Sequence, residues 1–333
     1  MSADLQVCVA VDAMSGDGGP EVALGAVCQA LEEDASLEID LVGDKAVLHE
    51  LLGKMRLHES SRVGLVGSRH VLPMDADPAR ALRCGQGSSM QGALERVGSG
   101  TCAAAVSGGS TGALMALSRH VLGMLPGIER PALMAALPAR NALVWALDLG
   151  ANVGADARRL YEFACMGSAA AGVISGRQPA VGLLNIGSEA SKGPDVVREA
   201  ARLIKSNRNL NYQGFVEADE VFDGRIDVVV CDGFAGNVLL KCAEGMARFM
   251  LARFREEVSG WRAGLVRRAV NRLHDKLDPC RHNGAPLLGA RGIVIKSHGS
   301  ACQQGFLSAI QLAALEARRN LIPELEEALW VSL

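Results

Sequence analysis

The chain of 333 residues has few aromatic side chains, no long uninterrupted apolar run and no C-x-x-C pair among its nine cysteines. Aromatic residues make up 4%, and together with abundant Ala, Val, Leu and Gly this favours short buried strands and stacked helices over a β-sandwich. The best candidate for a membrane span, residues 131–151, is interrupted by Pro138, Arg140, Asn141 and Asp148, which argues against a spanning helix. Without paired cysteine spacings, we expect the thiols to be reduced.

An excess of charge of one sign is also missing, since 34 Lys and Arg stand against 37 Asp and Glu. The formal net charge of −3 argues against nucleic-acid binding, which requires a concentrated cationic surface. The first four residues carry no basic region and lead into no apolar core, so we predict no signal peptide and a cytoplasmic protein. Cys280 and His282, with His274 nearby, lack a second ligand pair, and we predict no metal and no cofactor.

What the sequence has in abundance is apolar residues (49%) and glycine (38), arranged in a recurring pattern. A short apolar run is followed by a glycine-rich turn and then by helical spacing, first at residues 6–11 and again at 103–106 and 226–231. This pattern predicts a single α/β domain over residues 1–333, with a largely parallel sheet covered by helices on both faces. In such a sheet the turns that follow the strands emerge at the carboxyl edge, where ligands bind. We therefore expect the polar residues of these turns to lie close together.

The turn at residues 107–112 is suited to an anion, because a glycine-rich turn before a helix presents free N–H groups and the positive end of the helix dipole. No Lys follows its last glycine, so it is not a Walker A loop, and no turn matches G-x-G-x-x-G. No G-x-S-x-G elbow or cysteine signature indicates a covalent nucleophile. Several polar turns at one edge of the sheet indicate a phosphate or a phosphorylated ligand.

Four residues at strand ends are candidates for catalysis, with alternatives left open. Lys192 and Lys296 follow strands directly, but either is also compatible with a solvated loop lysine. His298 is suited to general acid–base chemistry or to donating a hydrogen bond as a neutral ring. Asn237 offers an amide donor for an oxyanion, or a helix cap. Candidate substrate-binding residues in the same turns are Asp12, Gly16, Ser107, Gly109, Ser110, Thr111, Gly112, Asn152, Asn185, Asp232, Gly236, Ser297 and Ser300. As anions, Asp12, Asp148 and Asp232 are expected to orient lysines or loop N–H groups.

One segment, near 244–275, departs from the strand–turn–helix pattern. Its apolar residues follow helical spacing and alternate with arginines, among them Arg248, Arg253, Arg267 and Arg268. We find no strand of comparable quality between Cys231 and Ile293, and predict an amphipathic helical excursion from the sheet. It is suited either to a helix pair in the core or a dimer interface, or to a basic surface for anionic lipid or an acidic protein.

Seven motifs, in order along nearly the whole chain, resemble the bacterial phosphate acyltransferases of phospholipid synthesis. They are VAVDAMSGD at 9–17, SGGSTGALMA at 107–116, GIERP at 127–131, LDLGANV at 147–153, VGLLNIG at 181–187 with Lys192-Gly193, VVCDGFAGNVLLK at 229–241, and GAPLLG at 284–289 with GIVIKSHGS at 292–300. The family usually has Ala-Gly-Asn where this chain has Gly108-Gly109-Ser110, so a hydroxyl here replaces an amide donor.

The resemblance implies transfer of a fatty acyl group from acyl carrier protein to inorganic phosphate, giving an acyl phosphate. It also implies a Rossmann-like, doubly wound α/β/α fold, a cytoplasmic homodimer, and work beside a membrane glycerol-3-phosphate acyltransferase at the membrane surface. On this interpretation Lys192, Lys296 and the 107–112 turn hold phosphate, Asn152, Asn185 or Asn237 polarises the thioester carbonyl, and His298 assists the departing thiol. The alternatives are a metal- and NAD-dependent hydroxy-acid dehydrogenase of similar fold, a phosphotransacetylase that uses coenzyme A, and a non-catalytic lipid-binding protein.

Overall fold

The structure, a computed structural model, describes residues 5–55, 60–140, 143–257 and 283–332. Its centre is one sheet of eleven strands in the order β3-β2-β1-β4-β11-β10-β5-β6-β9-β7-β8. The strands are β1 Val7–Asp12, β2 Leu37–Gly43, β3 Val63–Gly67, β4 Ala104–Ser107, β5 Ala132–Pro138, β6 Leu143–Leu147, β7 Ala180–Leu184, β8 Asn211–Val216, β9 Val228–Val230, β10 Ala285–Leu288 and β11 Ile293–Lys296.

The sheet consists of two parallel blocks that run in opposite directions. In the first block β3, β2, β1, β4 and β11 are mutually parallel, and in the second block β6, β9, β7 and β8 are mutually parallel. Between the blocks, β10 pairs antiparallel with β11 and with β5, and β5 pairs antiparallel with β6. Three antiparallel pairings in succession leave the second block reversed relative to the first.

Helices cover both faces of the sheet. Alternate residues of each strand point to opposite sides, so each strand contributes buried side chains to both faces. Val9 and Val11 pack into the largest core cluster, which includes Phe163 and Leu307, whereas Ala10 packs into a second cluster on the other face. The helices are α1 Gly19–Glu33, α2 Lys45–Lys54, α3 Pro78–Cys84, α4 Ser89–Gly98, α5 Thr111–Leu122, α6 Ala157–Ser175, α7 Asp195–Ser206, α8 Gly233–Glu257, α9 Gln303–Arg318 and α10 Leu321–Ser332, with a 3₁₀ turn at Glu220–Asp223. None of the helices among the described residues is long and apolar enough to cross a bilayer.

The doubly wound α/β fold, with its largely parallel sheet, is confirmed. The expectation of no further strand between Cys231 and Ile293 is wrong, since β10 lies there, and the sequence pattern also missed β5 and β8. The predicted helical excursion begins inside α8, a helix that already starts at Gly233. Residues 258–275 of that segment, and also Cys280, His282 and His274, lie outside the described residues.

Glu316 on α9 is fully buried, and its two carboxyl oxygens have no hydrogen-bond partner among the described residues. It borders a small cavity lined by apolar residues such as Leu287, Ile293 and Leu325. Burial raises the pKa of Glu316 to about 8, because the charged form loses its hydration without gaining a partner. The carboxyl group is therefore mostly protonated in the folded protein at neutral pH.

We predict that Glu316→Met stabilises the protein, and more so at pH 8 than at pH 5. In the unfolded chain the carboxyl ionises near pH 4.5, whereas in the folded chain it keeps its proton up to about pH 8. Stability is therefore lost as the pH rises between these values, by about 4 kcal/mol. Thermal unfolding of wild type and Glu316→Met across this pH range measures the difference, with the exposed Glu327→Met as the control. Equal effects of Glu316→Met at pH 5 and pH 8 would contradict the prediction.

Candidate functional site

Three adjacent strands of the first block end in a row of polar residues. The register places Asp12 at the end of β1 opposite Ser107 at the end of β4, and Ser107 opposite Lys296 at the end of β11. The Ser107 hydroxyl donates to Asp12 Oδ2 at 2.7 Å, and the Ser297 N–H donates to the Ser107 carbonyl at 2.9 Å. The turns that follow these three strands, residues 12–19, 107–112 and 296–300, are called the Lys296 group below.

The Lys296 ammonium is buried at the centre of the Lys296 group. Its Nζ donates to the Gly108 carbonyl at 3.3 Å and to the Ser297 carbonyl. Burial lowers the pKa of Lys296 to about 8, while the carboxylates of Asp12 and Asp17 act in the opposite direction and favour the cation. The site therefore presents a buried positive charge at neutral pH, and this charge is lost as the pH rises through about 8.

Glycines let the turns of the Lys296 group approach one another closely. Gly16 has φ +103°, and a Cβ there would lie 3.2 Å from the Gly299 carbonyl oxygen. The Asp17 N–H donates to that same oxygen at 2.8 Å. A Cβ at Gly112 would lie 3.3 Å from the Pro78 ring. A side chain at Gly16 would therefore separate the first turn from the third.

The 107–112 turn leads into α5, which begins at Thr111. The Ser110 hydroxyl is engaged within the protein: it accepts from the Ala113 N–H at 3.5 Å as the helix cap and donates to the Ala76 carbonyl at 2.8 Å. The first N–H groups of a helix, here those of Thr111 and Gly112, have no intrahelical acceptor and favour an anion. The groups of this turn that can donate to an anion are thus backbone N–H groups, because the Ser110 hydroxyl already donates its proton to the Ala76 carbonyl.

His298 and Ser300 form a pair at the edge of the Lys296 group. The Ser300 N–H donates to His298 Nδ1 at 3.3 Å, and the Ser300 hydroxyl lies 2.9 Å from the same nitrogen. Burial and the cations of Lys241 and Lys296 lower the pKa of His298. With Nδ1 accepting and the ring neutral, Nε2 carries the proton, so the geometry favours the neutral donor over the general base.

The second block carries the other predicted residues, in the turns at 148–155, 185–193 and 232–237, called the Asn237 group below. Asp148 is buried, and its carboxylate accepts from the N–H groups of Leu133, Ala151 and Asn152 and from the Asn152 amide. Burial raises the pKa of Asp148, and these hydrogen bonds oppose the rise. The Asp148 carboxylate thus binds N–H groups of its own turn and the Leu133 N–H of β5.

Two of the three candidate asparagines already use their side-chain amides in hydrogen bonds within the protein. The Asn152 amide donates to the Pro131 carbonyl at 2.9 Å as well as to Asp148, and the Asn185 amide donates to the carbonyls of Gly187 and Lys192, both at 3.2 Å. Both amides therefore already donate to acceptors within the protein. Lys192 is exposed next to Gly187.

Asn237 differs from Asn152 and Asn185, because it lies inside a helix, α8, and its side chain is exposed. The possible role of Asn237 as a helix cap is wrong, since Asp232 is placed as the cap: its carboxylate accepts from the Phe234 N–H at 2.8 Å and from the Ala155 N–H at 2.7 Å. A Cβ at Gly236 would collide with the Asp148 carbonyl oxygen, so this glycine lets α8 start against the 148–155 turn. The Asn237 amide makes no hydrogen bond with the described residues and is available to a ligand.

The expectation of one common carboxyl edge is wrong, because the two blocks run in opposite directions. The element that connects the Asn237 group with the Lys296 group is α8. This helix begins in the Asn237 group, and Lys241 and Glu244, less than three turns further on, lie close enough to His298 to shift its pKa. One helical turn spans about 5.4 Å, so Asn237 lies about one turn from Lys241.

The sequence analysis missed three contributors to the Lys296 group. The buried Ser15 hydroxyl has no partner among the described residues and adjoins Gly109. Asp17 faces Lys296, and the Asn283 side chain accepts from the His298 N–H and donates to the Ser297 hydroxyl. Ser15 and Asp17 are in the first glycine-rich turn, where their polarity was a usable signal. Asn283 precedes a strand that the pattern did not reveal.

Comparisons with known proteins agree with this arrangement. The profile of a family described as "Fatty acid synthesis protein" matches residues 7–323. A phosphate acyltransferase of Pseudomonas putida is 49% identical over 318 residues, covering 94% of this chain and 95% of the relative. One from Pseudomonas savastanoi pv. phaseolicola is 47% identical over 330 residues, covering 98% and 97%.

Solved structures of low identity share the fold. A phosphotransacetylase from Streptococcus pyogenes has a TM-score of 0.65 at 18% identity, with 95% of each chain covered. The EutD phosphotransacetylase from Staphylococcus aureus has a TM-score of 0.64 at 17% identity, with 94% of each chain covered. A putative 4-hydroxythreonine-4-phosphate dehydrogenase from Salmonella typhimurium has a TM-score of 0.53 at 13% identity, covering 93% of this chain and 99% of that one.

The matched family profile and the names of the relatives define an acyltransferase of fatty acid synthesis. Within that class, the chain belongs to the phosphate acyltransferase family, as its motifs indicated.

Proposed function

We propose that this enzyme transfers a fatty acyl group from acyl carrier protein to inorganic phosphate and releases an acyl phosphate. The observation that supports this most is the buried Lys296 ammonium, surrounded by glycine-rich turns and the first turn of α5. A buried cation beside free backbone N–H groups is a site for a small, highly charged anion. Inorganic phosphate fits that description.

The reaction needs little from the protein besides binding and orientation. A phosphate oxygen attacks the thioester carbonyl carbon, a C–O bond forms, the C–S bond breaks, and the departing thiolate takes a proton. Lys296 and the 107–112 turn hold phosphate, with Lys192 as a further candidate from the other block. Asn237 polarises the carbonyl, and the neutral His298 ring donates a hydrogen bond from Nε2 to the departing sulfur, which takes its proton from water.

The dehydrogenase alternative has less support. The likeness to a dehydrogenase structure at 13% identity concerns the fold alone. Among the described residues, the one cluster with metal-ligand geometry is Cys8, Asp40 and Cys102, at the opposite end of β1 and β4 from the Lys296 group. A phosphotransacetylase using coenzyme A stays a serious alternative, because both donors carry the same thioester.

We predict that Lys296→Ala lowers kcat/KM for phosphate by 10² or more, on the order of the loss of one oxyanion donor. The assay measures phosphate-dependent release of carrier-protein thiol from palmitoyl carrier protein. In the wild type the KM for phosphate rises as the pH passes about 8, because Lys296 loses its charge there. The matched control is Lys54→Ala, an exposed lysine paired with Glu50 on α2.

Unchanged kinetics in a folded Lys296→Ala variant would refute the phosphate site. A second acyl donor, palmitoyl-CoA, tests the alternative that the enzyme is a phosphotransacetylase that uses coenzyme A. A kcat/KM for palmitoyl-CoA equal to or above that for palmitoyl carrier protein would instead assign the enzyme to the coenzyme A-dependent class.

The Arg-rich segment is our candidate for docking the acidic carrier protein or for contact with an anionic membrane surface beside a glycerol-3-phosphate acyltransferase. Arg248 and Arg253 on α8 are exposed and pair with Glu244 and Glu256 respectively. Arg267 and Arg268 lie outside the described residues. The protein as a whole has a net charge of −3, so an acidic partner requires a local cationic surface.

We predict that the KM for palmitoyl carrier protein rises steeply with salt, and that an Arg267→Ala/Arg268→Ala double variant raises this KM and flattens its salt dependence. Arg202→Ala/Arg208→Ala, exposed in and after α7, is the control pair. A wild-type salt dependence retained in the Arg267/Arg268 variant would contradict docking there. Binding of the same variant to vesicles containing anionic lipid separates the membrane interpretation from the protein one.

The homodimer also stays a proposal, and α8 supports it. Large apolar side chains are exposed along this helix: Phe234, Val238, Met246, Phe249, Met250 and Phe254. Exposed apolar stripes of this length mark interaction surfaces. We infer that two copies of α8 pack against each other across a two-fold axis.

We predict a dimer by sedimentation equilibrium at micromolar concentration, and a shift toward monomer in Phe249→Lys, which places a charge in the apolar interface. Trp330→Lys is the control, because Trp330 is 86% exposed on α10, away from the stripe. A monomeric wild type, or a dimer untouched by Phe249→Lys, would count against this interface.

A further inference from the structure

Two thiols face each other at the end of β1 and β4 opposite to the Lys296 group. Cys8, the second residue of β1, is half-buried, and Cys102, two residues before β4, is buried. Their sulfur atoms are 2.8 Å apart, although 94 positions separate them in the chain. The Ala103 N–H donates to the Cys8 carbonyl at 2.8 Å, which holds the two backbones side by side.

From this geometry we propose that Cys8 and Cys102 form a reversible disulfide when the protein meets a hydroperoxide. The proposal is independent of the function proposed above, since neither thiol belongs to the Lys296 group or the Asn237 group. The other described cysteines lie elsewhere in the fold, and among them Cys28 adjoins Met55 and Cys231 contacts the Asp148 carbonyl.

The surroundings of the pair make the two sulfurs unequal. The hydrogen bond from Cys102 lowers the pKa of Cys8, whereas the same interaction together with burial raises the pKa of Cys102. The Arg96 guanidinium lies nearby and pairs with Asp40, Nε to Oδ2 at 2.7 Å. Cys8 is therefore both the more accessible thiol and the one that more readily forms the nucleophilic thiolate.

A metal at the same place is disfavoured by the distances and charges. Cys8, Asp40 and Cys102 have ligand atoms close together. In a tetrahedral zinc site with Zn–S bonds near 2.3 Å, two sulfurs would stand about 3.8 Å apart. Here they are 1 Å closer, and the Asp40 oxygen that would complete the site already pairs with Arg96. The fixed positive charge of Arg96 further opposes a cation.

The chemistry proceeds in two balanced steps. The Cys8 thiolate attacks one oxygen of the hydroperoxide, the O–O bond breaks, and Cys8 becomes a sulfenic acid while the other oxygen leaves as water or an alcohol after protonation. The Cys102 sulfur then attacks the Cys8 sulfur, an S–S bond forms, and the sulfenic oxygen leaves as water with the Cys102 proton. Two thiols are oxidised by two electrons and one peroxide is reduced.

The expected result is a tryptic peptide pair linked by a disulfide. The full-length reduced protein is treated with hydrogen peroxide, the remaining thiols are blocked with iodoacetamide, and the digest is analysed by mass spectrometry without reduction. Cleavage leaves Cys8 in residues 1–45 and Cys102 in residues 97–119, which contain no other cysteine except Cys28 in the first. We expect the pair 1–45 with 97–119, converted back to two peptides by dithiothreitol.

Matched variants assign the bond. Cys28→Ser should leave the linked pair intact, whereas Cys8→Ser and Cys102→Ser should each abolish it, and Cys102→Ser should leave a sulfenic acid on Cys8 that dimedone traps. The cross-link closes a long loop and should raise the wild-type Tm by roughly 5 °C or more. If peroxide yields no linked pair in the wild type, or links Cys102 to Cys28, the proposal is wrong. One equivalent of zinc in the wild type, lost in Cys8→Ser, would equally overturn it.

Discussion

The burial of one ammonium group constrains the architecture of the candidate site. Lys296 ends a central strand, and a cation there is tolerated only because carbonyl oxygens accept its protons and the carboxylates of Asp12 and Asp17 lie near it. The register of β1, β4 and β11 delivers these partners, since Asp12, Ser107 and Lys296 lie opposite one another. The glycines at 16 and 299 then let the three turns close over the charge.

Because strand direction reverses within the sheet, α8 is the element that connects the turns of the two blocks. Two parallel blocks that run in the same direction would bring all their turns to one edge, but β10 and β5 reverse the second block. That helix starts among the turns of the second block and carries Lys241 and Glu244 close enough to His298 to shift its pKa. The start of that helix is fixed on both sides, by the Asp232 carboxylate and by the absence of a side chain at Gly236.

The sequence predicted much of this and missed what depends on long-range pairing. Buried parallel strands such as β1 and β4 are visible as apolar runs before glycine, because both of their faces are covered. β10 and β5 are apolar too, but β10 contains Pro286, β5 ends at Pro138, and neither strand leads into a helix, so the strand–turn–helix pattern missed them. The turn residues were found by their polarity. Which of them are already hydrogen-bonded, such as Ser110 and Asn152, depends on partners far along the chain, so no local pattern reveals it.

The contrast among the three asparagines follows from a general requirement on an oxyanion donor. Such a group must be held in place before the reaction, and its N–H must still be unpaired. Asn152 and Asn185 meet the first condition but not the second, because backbone carbonyls already accept their amide protons. Asn237 meets the second condition, since its amide has no partner among the described residues, and of the first it has the fixed backbone, one residue after Gly236. It lies about one helical turn before Lys241, which is close enough to His298 to lower the pKa of that ring.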